Sequence, residues 1–375
     1  MYKKPNLSLY IHIPWCVKKC FYCDFHSITN NRNLEKKYIK SLIQDFKNDI
    51  KLINNRTINT IFIGGGTPNI LSNNSLSILL KKIKKKIKIK KKTEITIETN
   101  PKNITIKQIK KFQKLGINRI SIGIQTFNNN LLKKIGRDHN SNNIIEFVKK
   151  IQNIKKKNIN FDIIYGLPKQ TLKQALSDIK QAIKLKPKHI SWYQLNIEKN
   201  TFFYKKKIQL PNENIIMKIT QKGEKILKKN GYKQYEISSY TKRNYECKHN
   251  LNYWNFGDYL GIGSGAHSKI TKNNGDIYRF EKNKNIINYI NGEFIIKKKK
   301  ISKKKKIFEY FMNKFRLLKP IKYKKFTEQT NIKFKKIKKK IKKLISKKYI
   351  KNNGIYCKTT KKGRLFLNSI LTILL

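Results

Sequence analysis

The chain has 375 residues, 87 of them Lys or Arg and 21 Asp or Glu, for a formal net charge of +66. That length suits two or three domains with ample core. No apolar run is long enough to span a bilayer and no targeting segment opens the chain, so a cytoplasmic, non-transmembrane protein is expected. Five sparse cysteines with no secretory signal argue against a disulfide scaffold. The charge invites a nucleic-acid reading. The lysines, however, recur from Lys3 to Lys362 beside an excess of Ile and Asn, the signature of A/T-rich coding. They are read as solvated faces whose binding to polyanions is non-specific and salt-sensitive, with no specific nucleic-acid partner.

In chain order, Leu7–Ile13 reads as a strand and 33–52 as a helix with apolar residues at helical spacing. A buried strand at 60–63 runs into Gly64-Gly65-Gly66-Thr67-Pro68. Then come a helix at 75–89, a strand at 94–98, and a helix at 105–115 closed by Gly116 as C-cap. A strand at 118–124, a helix at 142–156, a strand over Ile159–Tyr165, a helix at 172–185 and a strand at 189–195 follow. Strands alternating with helices imply a parallel sheet with right-handed crossovers. Six such units fit an incomplete (β/α)6 barrel, with an open doubly wound sheet as the alternative. Residues 198–210 read as a connection, 214–230 as a helix capped by Gly231, and 261–268 as a glycine-rich turn. Helices are expected at 308–317, 334–346 and 359–370, with a hairpin at 349–357 around Asn353-Gly354. The expected division is a partial barrel at 1–200, an α/β extension at 201–300, and a small C-terminal domain at 301–375.

Cys16, Cys20 and Cys23 follow the first strand with C-x3-C-x2-C spacing, close enough for one loop to wrap an inorganic centre. Thiolates are soft ligands that suit iron–sulfur clusters or zinc. A four-iron cubane usually takes four cysteines, so three would leave one iron open to a small molecule. Zinc completed by His12 or His26 is the rival, and plain buried thiols the bland reading. Other notable residues also fall near C-terminal strand ends, where parallel α/β proteins build their sites. Gly64–Gly66 follow strand two, Glu98 ends strand three, Gln125 follows strand four, and Asp162 lies in strand five. The glycine turn lacks the Lys-Ser/Thr pair of a P-loop; it is either a simple tight turn or a place where backbone approaches a ligand. Glu98 and Asp162 could take ribose hydroxyls and an amino group, or be ordinary strand-end acids. Arg137 could bind a carboxylate bidentately, or be a surface arginine.

The combination of C-x3-C-x2-C and G-G-G-T-P resembles the radical S-adenosylmethionine superfamily. Together with Tyr-Ile-His-Ile-Pro-Trp-Cys, Asn-Arg-Ile-Ser-Ile-Gly-Ile-Gln, Tyr-Gly-Leu-Pro and Ser-Trp-Tyr-Gln-Leu, it resembles the oxygen-independent coproporphyrinogen III oxidase family, and within it the haem-chaperone branch. The resemblance spans essentially the whole chain. It implies a [4Fe–4S] cluster on Cys16, Cys20 and Cys23, with S-adenosylmethionine chelated to the fourth iron. Tyr10, Tyr22, Gly65, Gly66, Thr67, Glu98, Gln125, Arg137 and Asp162 match positions that contact S-adenosylmethionine in the oxidases. One electron from such a cluster cleaves the sulfonium to a 5′-deoxyadenosyl radical. The oxidases resemble C-x3-C-x2-C-x-C, whereas Phe25 stands at the last position here and has no metal-binding atom. That departure points to the chaperones. His249, Tyr253 and Trp254 match the H-N-x-x-Y-W motif that the branch associates with haem, with Cys247 a second iron ligand and His267 a weaker third. The 301–375 region resembles a winged-helix-like domain. The implied partners are haem and an acceptor protein, which could sit at the membrane. Coproporphyrinogen decarboxylation is the alternative activity, and a polyanion-binding protein with a structural metal the outsider.

Overall fold

The computed structural model describes residues 4–29, 31–152 and 158–375. Its centre is six strands, β1 (Leu7–Ile13), β2 (Ile58–Gly65), β3 (Ile89–Thr99), β4 (Arg119–Gln125), β5 (Ile159–Tyr165) and β6 (His189–Gln194). They pair in parallel, each with the next in the chain. A doubly wound sheet would reverse strand order at a switch point. Sequential order with right-handed crossovers instead keeps α1 (Arg32–Asp49), α2 (Asn73–Lys84), α3 (Ile106–Lys114), α4 (Ser141–Gln152) and α5 (Leu172–Lys184) on one face. This is the incomplete barrel, and the doubly wound alternative falls. The last residues of the helix expected at 142–156 lie outside the described residues.

The two sheet faces differ sharply, because successive strand residues point to opposite sides. Leu9, Ile11, Ile61, Ile63, Ile97, Ile122, Phe161 and Ile190 join Leu42, Phe46, Leu79 and Ile179 from the helices in one core. The alternate positions carry Ser8, Tyr10, His12, Thr60, Glu94, Glu98, Arg119, Asp162, His189 and Tyr193. A parallel sheet is usually apolar on both faces. Here the inner face is kept polar, which marks it as the working surface.

The sheet does not close. Its β6 edge takes on β8 (Ser239–Thr241) and then β7 (Lys233–Glu236), both antiparallel. Its β1 edge takes on β9 (Asp258–Ile262) in parallel, followed by antiparallel β10 (His267–Thr271), β11 (Ile277–Lys282) and β12 (Ile295–Lys300). The result is one mixed twelve-stranded sheet. Buried charges fasten the added strands. Asp258 accepts from Arg56 at 2.8 Å and Lys269 at 2.9 Å, and Lys282 on β11 pairs with Asp45 and, at 2.7 Å, with Asp49 of α1.

Three expected elements come out differently. The helix expected at 75–89 stops at Lys84: Lys85 caps it, with its N–H turned back to Lys81 O and Ile83 O, and the chain enters β3 at Ile89. The connection at 198–210 holds a short helix, Phe202–Lys205. At the C-terminal end, α8 (Lys303–Lys314), β13 (Ile321–Lys322), α9 (Tyr323–Thr330), α10 (Lys338–Ser346), β14 (Ile350–Asn352) and β15 (Tyr356–Thr359) follow in order. That is the winged-helix sequence of elements, around a core of Tyr310, Phe311, Phe326, Ile341 and Leu344. Gly354 turns the hairpin at φ +85°. The helix expected at 359–370 divides into Lys361–Leu365 and Leu367–Leu374.

Candidate cluster and cofactor site

The thiol loop leaves β1 and is clamped where it begins and ends. Trp15–Cys16 pairs with Ile28–Thr29, and the Ile28 N–H donates to Pro14 O at 2.8 Å. The glycine turn closes over it: Gly66 N–H donates to Ile13 O at 2.8 Å and Thr67 N–H to Trp15 O at 2.7 Å. A Cβ on Gly66 would lie 2.5 Å from Trp15 O and 3.0 Å from Cys16 Sγ, so glycine is required for the approach. Thr67 Oγ1 donates to Cys16 Sγ at 3.4 Å.

Cys16, Cys20 and Cys23 are free and half-buried. Burial first, and the neighbouring thiols after it, raise the Cys20 thiol and take that of Cys23 up to about 11. The three sulfurs are therefore close enough to sense one another. Among the described residues no three His, Cys, Asp or Glu side chains form a ready metal-binding group; the three thiols share one loop. Their donor chemistry fits an iron–sulfur cluster. The zinc rival lacks a free fourth ligand in His12, whose Nε2 donates to His26 O at 2.8 Å while Nδ1 accepts from Tyr10 OH at 3.0 Å. Burial holds His12 neutral, at about 4. His26 spends Nε2 on Ser264 Oγ at 3.1 Å.

The expected S-adenosylmethionine residues come together at the C-terminal strand ends. Glu98 Oε2 accepts from Gly65 N–H at 3.1 Å and lies 2.8 Å from where a Cβ on Gly64 would sit. Gly65 is at φ +117°. Burial first, and the Asp162 carboxylate second, raise Glu98 to about 8. Asp162 accepts from Ser121 Oγ and from Asn160 Nδ2, each at 2.8 Å. Tyr10 is pushed well up by burial and by the charge of Glu98 beside it. Gln125 ends β4 in the left-handed region at φ +68°, and its Oε1 accepts from Tyr193 OH at 3.4 Å. Arg137 Nη2 donates to Tyr22 OH at 3.1 Å, while its buried Nε has no partner among the described residues. A guanidinium with an unspent buried N–H suits a ligand carboxylate. Tyr193 is the residue missed: burial and then Tyr22 and Asp162 raise it, which puts it at the centre of the group. Its signal was present as the third inward position of β6, inside Ser-Trp-Tyr-Gln-Leu.

The haem-motif residues lie at the other strand ends, on a helix rather than a polar loop. Glu94, at the N-terminal part of β3's inner face, accepts from Lys248 N–H at 3.2 Å and His249 N–H at 3.1 Å. It thereby caps α7 (Lys248–Trp254), whose own N-cap residue Cys247 makes no side-chain cap. Leu227 closes the hydrophobic side of α6 (Glu213–Lys229) elsewhere in the core. His249 is 1% exposed. Thr60 Oγ1 donates to Ser8 Oγ and so accepts from His249 Nδ1 at 2.8 Å, leaving Nε2 to accept from Tyr253 OH at 3.1 Å. Its ring packs on Phe62 and Tyr253, both at 4.9 Å, and burial takes it down to about 3. Cys247 is fully buried and pushed up to about 12. Trp254 lies under the Arg316 guanidinium at 4.2 Å, and His267 is exposed at the start of β10.

A sequential parallel half-barrel, three thiols after its first strand and a glycine turn over them define a protein of the radical S-adenosylmethionine class. The Radical SAM superfamily model matches residues 10–182 and the HemN C-terminal domain model residues 301–366. The chain belongs to the HemW family of heme chaperones. It is 56% identical to the heme chaperone HemW of Buchnera aphidicola subsp. Schizaphis graminum, with both chains covered in full. It is 40% identical to that of Escherichia coli K12, again over the whole of both. Among solved structures, the radical SAM enzyme coproporphyrinogen III oxidase (HemN) of Escherichia coli superposes with a TM-score of 0.85 at 23% identity. The match covers 99% of this chain and 90% of that one, and shows a shared fold.

Proposed function

We propose that the protein is a haem chaperone that binds haem, a [4Fe–4S] cluster and S-adenosylmethionine, and hands the haem to an acceptor protein. The observation that carries this is full-length identity to proteins named heme chaperones, joined to an H-N-x-x-Y-W helix at the strand ends opposite the thiols. Three parts share the work: 1–200 holds the cluster site, 201–300 the haem motif, and 301–375 the winged-helix-like domain. Cys16, Cys20 and Cys23 hold the cluster, which with S-adenosylmethionine supplies one-electron chemistry when bound. Gly65, Gly66 and Thr67 bring backbone against that ligand, beside Tyr10. Arg137 and Tyr22 face its carboxylate, and Glu98, Gln125 and Asp162 take its amino and hydroxyl groups. His249 offers an imidazole for iron once its bond from Tyr253 is exchanged, with Cys247 as the alternative ligand and Tyr253 and Trp254 as ring faces. Free thiols suit a reducing compartment, so the cytoplasm is the proposed place. Among the described residues no helix is long and apolar enough to cross a membrane, and the acceptor is the component that would sit there.

The test is anaerobic reconstitution followed by absorbance spectra before and after haemin. One haem per chain is expected with or without the cluster. His249→Ala should weaken binding about tenfold or more by removing the iron ligand. If the double replacement of Cys247 and His249 leaves affinity and Soret band unchanged, the haem is held elsewhere.

A further inference from the structure

A cavity of about 760 Å³ lies between the N-terminal strand ends, α7 and the C-terminal domain. Six lysines line it: Lys4, Lys90, Lys92, Lys248, Lys314 and Lys325. Glu328 is the acid among them. Among the described residues none of the six makes an ion pair. Lys314 is the informative one. It is 6% exposed, and its Nζ donates to Asn255 Oδ1 at 2.9 Å with no carboxylate beside it. An ammonium buried without a counter-ion is costly, and an anion in the cavity would relieve that cost. Burial, then the facing Lys325, already takes Lys314 down to about 8.

The position of α7 says which anion. Its residues divide by helical spacing. His249 and Tyr253, one turn apart, point into the half-barrel. Lys248, Leu251, Asn252 and Asn255, at i, i+3, i+4 and i+7, line the cavity. The helix that carries the haem motif therefore has a second face in a basic chamber whose size is that of a small-molecule pocket. Lysine stems can cover an apolar ring while their heads reach charged groups.

We propose that this cavity is an anion site that takes the carboxylates of a porphyrin and seats the cargo against the outer face of α7. It rests on the haem-chaperone reading, and it names a recognition surface distinct from His249 and Tyr253.

The test compares haemin with its dimethyl ester, in which both carboxylates are blocked. Two variants are used: Lys314→Met with Lys325→Gln, and Lys90→Gln with Lys92→Gln at exposed positions that leave the core untouched. Wild-type protein should bind haemin more tightly than the ester. Each pair of substitutions should weaken haemin binding about tenfold, the scale of losing charge-assisted hydrogen bonds. Ester affinity should stay unchanged, and added salt should erode the haemin preference. Haemin affinity unmoved in both variants, or equal wild-type affinity for haemin and ester, overturns the anion site and leaves the chaperone reading standing. A wild-type protein that binds neither sinks both.

Discussion

Glu98 should make the cluster-free protein less stable as pH rises. A free carboxyl loses its proton near 4.5, whereas in the folded chain burial and the Asp162 charge hold it to about 8. Between those values the unfolded chain binds fewer protons than the folded one, so folding stability falls with rising pH and levels off above about 8. At about 1.4 kcal/mol per unit the full gap is worth about 5 kcal/mol, a ceiling that water entering the site would lower. Glu98→Gln removes the ionisation yet keeps an oxygen for the Gly65 N–H. Urea unfolding of both proteins, reduced and cluster-free, at pH 5 and pH 9 measures the difference. The two should be nearly equal at pH 5, and the variant more stable at pH 9 by several kcal/mol, within that ceiling. On the reading proposed above, the same variant should bind S-adenosylmethionine more weakly, because the Glu98 carboxyl would face the ligand's amino and hydroxyl groups. A stability difference that does not change between the two pH values would refute the reasoning.

Replacing any one of Cys16, Cys20 and Cys23 with Ala should abolish a cluster of about four irons per chain, read by iron content and visible absorbance; stoichiometric zinc without that absorbance would reverse the assignment. Asp258→Asn should cost about 3–5 kcal/mol in urea unfolding, since it leaves Lys269 buried without its anion and frees Arg56; a loss below about 1 kcal/mol would show the pair to be a bystander. Because Phe25 stands where the oxidases have a fourth cysteine, no protoporphyrinogen should form from coproporphyrinogen under anaerobic, reducing conditions, and catalytic turnover would make the oxidase reading correct.

The barrel was legible because its strands alternate so cleanly. Leu7–Ile13 and Ile159–Tyr165 put Leu, Ile and Phe on one face and polar residues on the other, and both were read with their observed limits. Glu98 and Gln125 were read at the C-terminal ends of their strands, and the structure puts them there. What escaped depends on distant partners. α7 has no apolar periodicity of its own and is capped by Glu94, far away in the chain. β12 is exposed along its length and carries Lys297–Lys300, a run that sequence reading treats as a solvated face. It is indeed solvated, and it is also an edge strand, where lysines discourage further pairing. α9 is short and polar, and Tyr323 and Phe326 anchor it in the C-terminal core.

The polar inner face explains why the haem-motif helix lies where it does. A half-barrel lined by Ser8, Thr60, Glu94 and Arg119 at its N-terminal end would leave charged groups in an open slot. α7 closes that end: its N–H groups meet Glu94, its imidazole meets Thr60, and Arg119 lies among Glu94, Cys247 and Tyr235. Closure keeps His249 neutral, since burial and then the Arg119 charge both disfavour the imidazolium. Neutral imidazole is the metal-binding form. On the reading proposed above, the packing that seals the barrel also holds its iron ligand ready at any physiological pH. What guards that ligand is the Tyr253 hydroxyl on Nε2. A hydrogen bond of this kind contributes about 1 kcal/mol net, far less than an iron–imidazole bond can return. Phe62 packs between this histidine and Tyr10, with ring contacts of 4.9 and 6.3 Å. Motion of the His249 ring toward a haem would therefore have to be accommodated by a side chain that also packs on Tyr10, a residue proposed above to face S-adenosylmethionine.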